Sequence, residues 1–149
     1  MDFLIGIFSN PIIVTACVGW FTAQFLKLVV DMIRTGQVDL SRFIGGAGGM
    51  PSSHTALVVS ALVAVYYTDG PASTTFAVMA VVTGVVMYDA LGVRRAAGEQ
   101  AKVINVMVSE WDWNHPELMG KQLKELLGHT PLEVAAGAVL GVFIGWLMM

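Results

Sequence analysis

Residues 128–149 read GHTPLEVAAGAVLGVFIGWLMM. From Val134 to Met149 this stretch carries no charge. A run of that length fits a helix across a bilayer, whose hydrocarbon core takes about 17–25 helical residues. Pro131 stands where a first helical turn tolerates proline. The run opens on reactive groups: His129 precedes it, and Glu133 follows four residues later, one turn on along the same helix face.

Three more apolar runs lie upstream, at roughly 11–30, 53–68 and 72–91. Pro11 opens the first, and Asp69-Gly70-Pro71 stops the second with a strong turn signal. Each predicts a helix, because open backbone cannot face lipid. The second is short, so part of it is expected to be covered by its neighbours. Residues 96–127 alternate apolar positions (Ala101, Val103, Ile104, Val106, Leu123, Leu126, Leu127) with charged ones. That pattern predicts an amphipathic helix on the membrane surface, with Trp111 and Trp113 at headgroup level. The expected fold is all-α: one domain over residues 1–149, a polytopic membrane bundle of about four transmembrane helices plus an amphipathic surface helix.

Composition agrees. The chain is 56% hydrophobic and 13% charged, with mean hydropathy +0.71, whereas soluble domains carry roughly a quarter charged residues. A net charge of −3 without a basic stripe argues against nucleic-acid binding. Cys17 is the single cysteine, so no internal disulfide forms. Asp2 in place of a basic region, and Pro11 within the first apolar stretch, argue against a cleavable signal.

Connectivity adds a deduction. The face where the first helix ends is where the second begins, the third returns and the fourth departs. Lys27, Arg34, His54, Asp89, Arg94, Arg95, His129 and Glu133 are therefore expected at one membrane face. Lys27, Arg34, Arg42, Arg94, Arg95, Lys102, Lys121 and Lys124, all the Lys and Arg of the chain, share that side. The positive-inside rule makes it cytoplasmic, in an integral protein of a bacterial inner membrane.

Taken singly, these groups have structural explanations. Lys27 and Arg34 can snorkel to headgroups, Ser52 and Ser53 can cap a helix, and glycines 45, 46, 48 and 49 can form a flexible loop. His115 beside Pro116 reads as an interfacial residue. Ionisable side chains converging on one membrane edge read together as a functional site.

The chemistry they support is phosphoryl transfer. A phosphate ester needs a basic cradle, which Lys27, Arg34 and one or both of Arg94 and Arg95 supply. The helix start at Ser52, Ser53 and His54 adds backbone N–H groups and the positive end of a helix dipole. His129 is the expected nucleophile. Glu133 accepts its other ring proton or orients the ring through an intermediate group, and His54 is the expected general acid. No His-Glu-x-x-His spacing and no cysteine pair occurs, so neither a metal nor a cofactor is expected.

These residues resemble the type 2 phosphatidic acid phosphatase superfamily, which includes lipid phosphatases and vanadium haloperoxidases, and more closely its small divergent bacterial and plant branch. The superfamily pattern is Lys-x6-Arg-Pro, Pro-Ser-Gly-His and Ser-Arg-x5-His-x3-Asp. Lys27-x6-Arg34 keeps the first spacing, with Thr35 for proline. Pro51-Ser52-Ser53-His54 matches the second with serine for glycine, and His129-x3-Glu133 ends the third with glutamate for aspartate. Nothing basic lies six positions before His129. The stretch from Tyr88-Asp89-Ala90 through Arg94-Arg95 to Gly98 and Gln100-Ala101 resembles the divergent branch. The phosphate-binding arginine is carried onto Arg94 or Arg95, with Asp89 positioning one of them.

The resemblance spans residue 10 to the C-terminus and implies hydrolysis of a membrane lipid phosphate or diphosphate, prenyl or diacylglycerol-type. The alternative is a non-catalytic phospholipid-binding or transport-related membrane protein, which dimerisation would favour. Gly137-x3-Gly141-x3-Gly145 allows close helix packing, within one chain or between two copies of a homo-oligomer.

Overall fold

A computed structural model of the chain describes residues 2–36, 49–110, 123 and 128–149, without the side chains of residues 2–4, 34, 93–95, 109 and 110. The regular structure among the described residues is helical. It comprises α1 (Asp2–Phe8), α2 (Pro11–Thr35), α3 (Ser53–Asp69), α4 (Thr74–Leu91), α5 (Val93–Glu110) and α6 (Pro131–Met148).

Local chemistry sets the boundaries. Asn10 caps α2, its Oδ1 accepting the amides of Ile12 at 2.9 Å and Ile13 at 3.2 Å. Gly36, at φ 68°, closes the same helix by donating its amide to the Met32 carbonyl at 2.9 Å. Only glycine takes that left-handed turn without strain. The helix therefore extends past residue 30, the sequence estimate, and carries Asp31 and the Arg34 backbone at its last turns. Ser52, Ser73 and Thr130 cap α3, α4 and α6.

Among the described residues, three segments are long and apolar enough to cross a bilayer: Pro11–Ile33, Thr74–Val108 and Pro131–Met148. The second runs from α4 into α5. Helical bonding passes through the joint, Gly92 N–H to Tyr88 O and Ala96 N–H to Gly92 O, both at 2.9 Å. The amphipathic segment thus begins as a near-continuation of α4. In α5 the apolar Val103, Val106 and Met107 are exposed, as is a Glu99–Lys102 ion pair of 3.3 Å. Most of the rest of the expected surface helix, with Trp111, Trp113 and His115, lies outside the described residues.

The fourth expected crossing, α3, has 17 residues, about 26 Å at 1.5 Å per residue against a hydrocarbon core of about 30 Å. It is the central helix, packed on α2, α4 and α6. Glycines let the neighbours approach. A Cβ at Gly137 would meet the Ser52 carbonyl at 2.5 Å, one at Gly141 the Ala56 carbonyl at 2.9 Å, and one at Gly145 the Val63 Cβ at 2.5 Å. Gly19 of α2 lies as tightly against Ser60 on another side of α3. Packing of this kind holds helices together in lipid, where no hydrophobic force draws them. The glycine stripe of α6 is occupied within the chain and is not available for pairing two copies.

Two buried hydroxyls inside the bundle find backbone partners. The Ser60 hydroxyl donates to Ala56 O at 2.7 Å, and the Thr83 hydroxyl ties α4 to α3 through Val58 O at 3.3 Å. Outside, Phe21, Phe25, Val81, Val85, Val139 and Phe143 are exposed, a surface suited to acyl chains. Tyr66 and Tyr67 near the end of α3 and Trp146 near the end of α6 are exposed as well, matching an aromatic belt at the second interface.

Candidate functional site

Four helix ends meet at one end of the bundle, the arrangement that connectivity required. The contacts that join them are specific. Ser52 N–H donates to the Glu133 carbonyl at 3.0 Å, linking the starts of α3 and α6, and His129 N–H donates to the Ala90 carbonyl at 3.1 Å, linking α6 to the end of α4. Lys27 Nζ reaches Ser53 Oγ at 3.3 Å, linking α2 to α3.

The start of α6 is built on a capping box. Thr130 Oγ1 accepts the Glu133 amide at 3.3 Å, and Glu133 Oε2 accepts the Thr130 amide at 2.8 Å. The reciprocal pair satisfies two helix-end donors and fixes the carboxylate. That same Oε2 stands 3.3 Å from His129 Nδ1. Glu133 is acceptor-only when ionised, so Nδ1 is the nitrogen that carries the proton toward it, and a neutral ring then keeps its lone pair on Nε2. The His129 side chain is 6% exposed.

Lys27 is nearly as buried, at 9%. Its aliphatic stem passes Gly49, whose φ of 86° calls for glycine and whose missing Cβ would sit 3.8 Å from Lys27 Cδ. The ammonium interacts electrostatically with Glu133 and Asp31. Buried charge of this kind needs partners, and Ser53, Glu133 and Asp31 provide them. Ser52 accepts the Thr55 amide at 3.4 Å and the Thr55 hydroxyl at 3.0 Å, which closes the first turn of α3.

The structure thus brings together Lys27, Ser52, Ser53, His129 and Glu133. His54 is at the same end, on the first turn of α3, but its side chain is exposed while Ser52, Ser53 and Thr55 are buried. Asp89 is half-buried, next to the Ala90 carbonyl that holds His129. The backbones of Arg34, Arg94 and Arg95 lie in the last turn of α2 and the first turn of α5. Their side chains lie outside the described residues, as do residues 37–48. Among the described residues, no three His, Cys, Asp or Glu side chains gather as a metal-ligand set.

Three contributors escaped the sequence reading: the Ala90 carbonyl, the Gly49 turn under Lys27, and the Thr130 cap. The last was findable, since Thr130-x-x-Glu133 before an apolar run is a capping-box pattern.

Apolar exposed helix faces around a polar cluster at one end define a helical membrane protein. The chain belongs to the Divergent PAP2 family, which it matches over residues 8–144. It is similar to the uncharacterized membrane protein YuiD of Bacillus subtilis (strain 168), with 39% identity over 132 residues, 82% of this chain and 83% of the relative. No solved structure matches it.

Proposed function

We propose that the protein is a membrane lipid phosphatase that hydrolyses a prenyl or diacylglycerol-type phosphate or diphosphate, with a histidine nucleophile and without a metal ion. The observation that carries this reading is the buried His129 ring, 3.3 Å from the Glu133 carboxylate, in the cluster that holds Lys27 and Ser53. Membership of the Divergent PAP2 family supports a phosphatase-related activity.

In this reading His129 Nε2 attacks the terminal phosphorus, and the bond from that phosphorus to the leaving oxygen breaks. His54 protonates that oxygen, and the lipid alcohol departs from a monophosphate, or the lipid monophosphate from a diphosphate. Positive charge growing on the ring faces Glu133, while charge on the phosphoryl oxygens faces Lys27, the start of α3 and the arginines (Arg34, Arg94, Arg95, with Asp89 orienting one). Such fixed electrostatic complementarity is usually the largest catalytic contribution. Water then cleaves the phosphohistidine, giving a proton back to His54, which releases inorganic phosphate and restores both imidazoles. The lipid tail enters sideways from the bilayer. The positive-inside rule supports a cytoplasmic position for this face, in a bacterial inner membrane.

The test is phosphate release by purified, reconstituted protein across a panel of prenyl and diacylglycerol phosphates in the presence of chelator. Turnover that His129→Ala abolishes without loss of membrane insertion is expected. Turnover retained by His129→Ala removes the nucleophile and this mechanism with it.

A further inference from the structure

The helices around α3 do not close on one another evenly. Among the described residues α6 packs on both α2 and α4, whereas α2 and α4 each pack on α3 and not on each other. One side of the central helix is therefore left between α2 and α4. The contacts of α3 say which side. Thr55, Val59 and Val63 meet the α6 glycines, Ser53 and Ser60 meet Lys27 and Gly19 of α2, and the Val58 carbonyl meets Thr83 of α4. Successive residues turn by about 100°, so His54, Leu57 and Ala61, spaced by three and four, share the remaining side, turned away from α6. His54 at the mouth is exposed, Leu57 is half-buried, and Ala61 is 5% exposed. A groove with an apolar floor thus deepens from the site toward the middle of the bundle.

Displacement at phosphorus decides what enters it. The attacking and leaving atoms of a phosphoryl transfer stand roughly in line, and His129 comes from the α6 side. The leaving oxygen then points to the side away from α6, where His54 stands to protonate it. The lipid tail is attached beyond that oxygen.

We infer that the groove between α2 and α4, floored by Leu57 and Ala61 below His54, holds the hydrocarbon tail of the lipid phosphate. This deepens the phosphatase reading and rests on it. A tail gains no hydrophobic energy by leaving lipid for an apolar groove. The groove therefore acts by aiming the leaving oxygen at His54, and its effect falls on kcat more than on KM.

The probe is a long-chain alkyl phosphonate with a diazirine in its tail, which keeps the charged head and cannot be hydrolysed. Illuminated with reconstituted wild-type protein, it is expected to label α3 at Leu57 and Ala61, and excess unlabelled phosphonate is expected to remove that label. Kinetics run alongside on two substrates, a long-chain lipid phosphate and a short water-soluble phosphate ester. Misplacing a reacting group by about 1 Å costs up to about 10²-fold. On that scale Leu57→Trp is expected to lower kcat for the lipid about tenfold or more and to leave the short ester within about threefold of wild type. Val139→Trp, on the exposed outer face of α6, is expected to leave both substrates unchanged. Label absent from that stretch of α3, label that excess phosphonate does not displace, or a Leu57→Trp protein that treats both substrates alike overturns the groove while phosphate release stands. Wild-type protein that releases no phosphate from either substrate fails differently: it removes the phosphatase reading and this inference together.

Discussion

One carboxylate oxygen of Glu133 lies 3.3 Å from His129 Nδ1 and 2.8 Å from the Thr130 amide, so the group that faces the imidazole is itself fixed by the helix it caps. Glu133→Gln keeps a side-chain oxygen for the cap but removes the negative charge facing the ring. Turnover is expected to fall by about 10²–10⁴-fold, as when the carboxylate behind a catalytic histidine is neutralised, with little change in unfolding temperature. Glu133→Ala also loses the cap, at about 1 kcal/mol. Steady-state kinetics and thermal melts of the two variants separate the roles.

Lys27→Met keeps the aliphatic stem that packs by Gly49 and deletes the charge. Substrate binding is expected to suffer most: KM rises about tenfold or more, on the scale of one charge-assisted hydrogen bond. A KM equal to wild type would remove Lys27 from the cradle.

Two glycine substitutions should diverge. A methyl at Gly137 meets the Ser52 carbonyl at 2.5 Å, whereas one at Gly84 meets nothing within 4 Å. Gly137→Ala is expected to destabilise by about 1–3 kcal/mol through overpacking and to lower activity by parting α6 from α3. Gly84→Ala is expected to be neutral or slightly stabilising, since alanine favours a helix by up to about 1 kcal/mol over glycine. Melting in one detergent ranks the two.

Topology is testable with single cysteines in a Cys17→Ser background. His54 and Tyr67, at opposite ends of α3, are both exposed. A membrane-impermeant maleimide is expected to label His54→Cys only from the cytoplasmic side and Tyr67→Cys only from the other. The reverse pattern would place the site on the outer face.

Much of this was legible in the sequence because it is local. Pro11 and the Asp69-Gly70-Pro71 stop each act through neighbours a few residues away. The gathering of Lys27, Ser53, His129 and Glu133 was legible too, since helices that cross and return leave few choices of face. The central position of α3 was not. Hydropathy scores Ala56, Ala61 and Ala64 alike whether lipid or protein covers them, and the cover comes from Gly19, Gly137, Gly141 and Gly145 on other helices. Nor did the sequence separate His54 from its buried neighbours, because adjacent residues on a helix point about 100° apart and only packing decides which side is inside.

The bond from His129 N–H to the Ala90 carbonyl has a consequence for how this chain can change. A main-chain oxygen is offered by any residue small enough for the site, so substitutions at 90 are limited by bulk, not by chemistry. Length is another matter. Deleting or inserting one residue in α4 between its Thr83 anchor and Ala90 would swing that oxygen by about 100° around the helix axis, and the imidazole would lose its mooring with every site residue still in place.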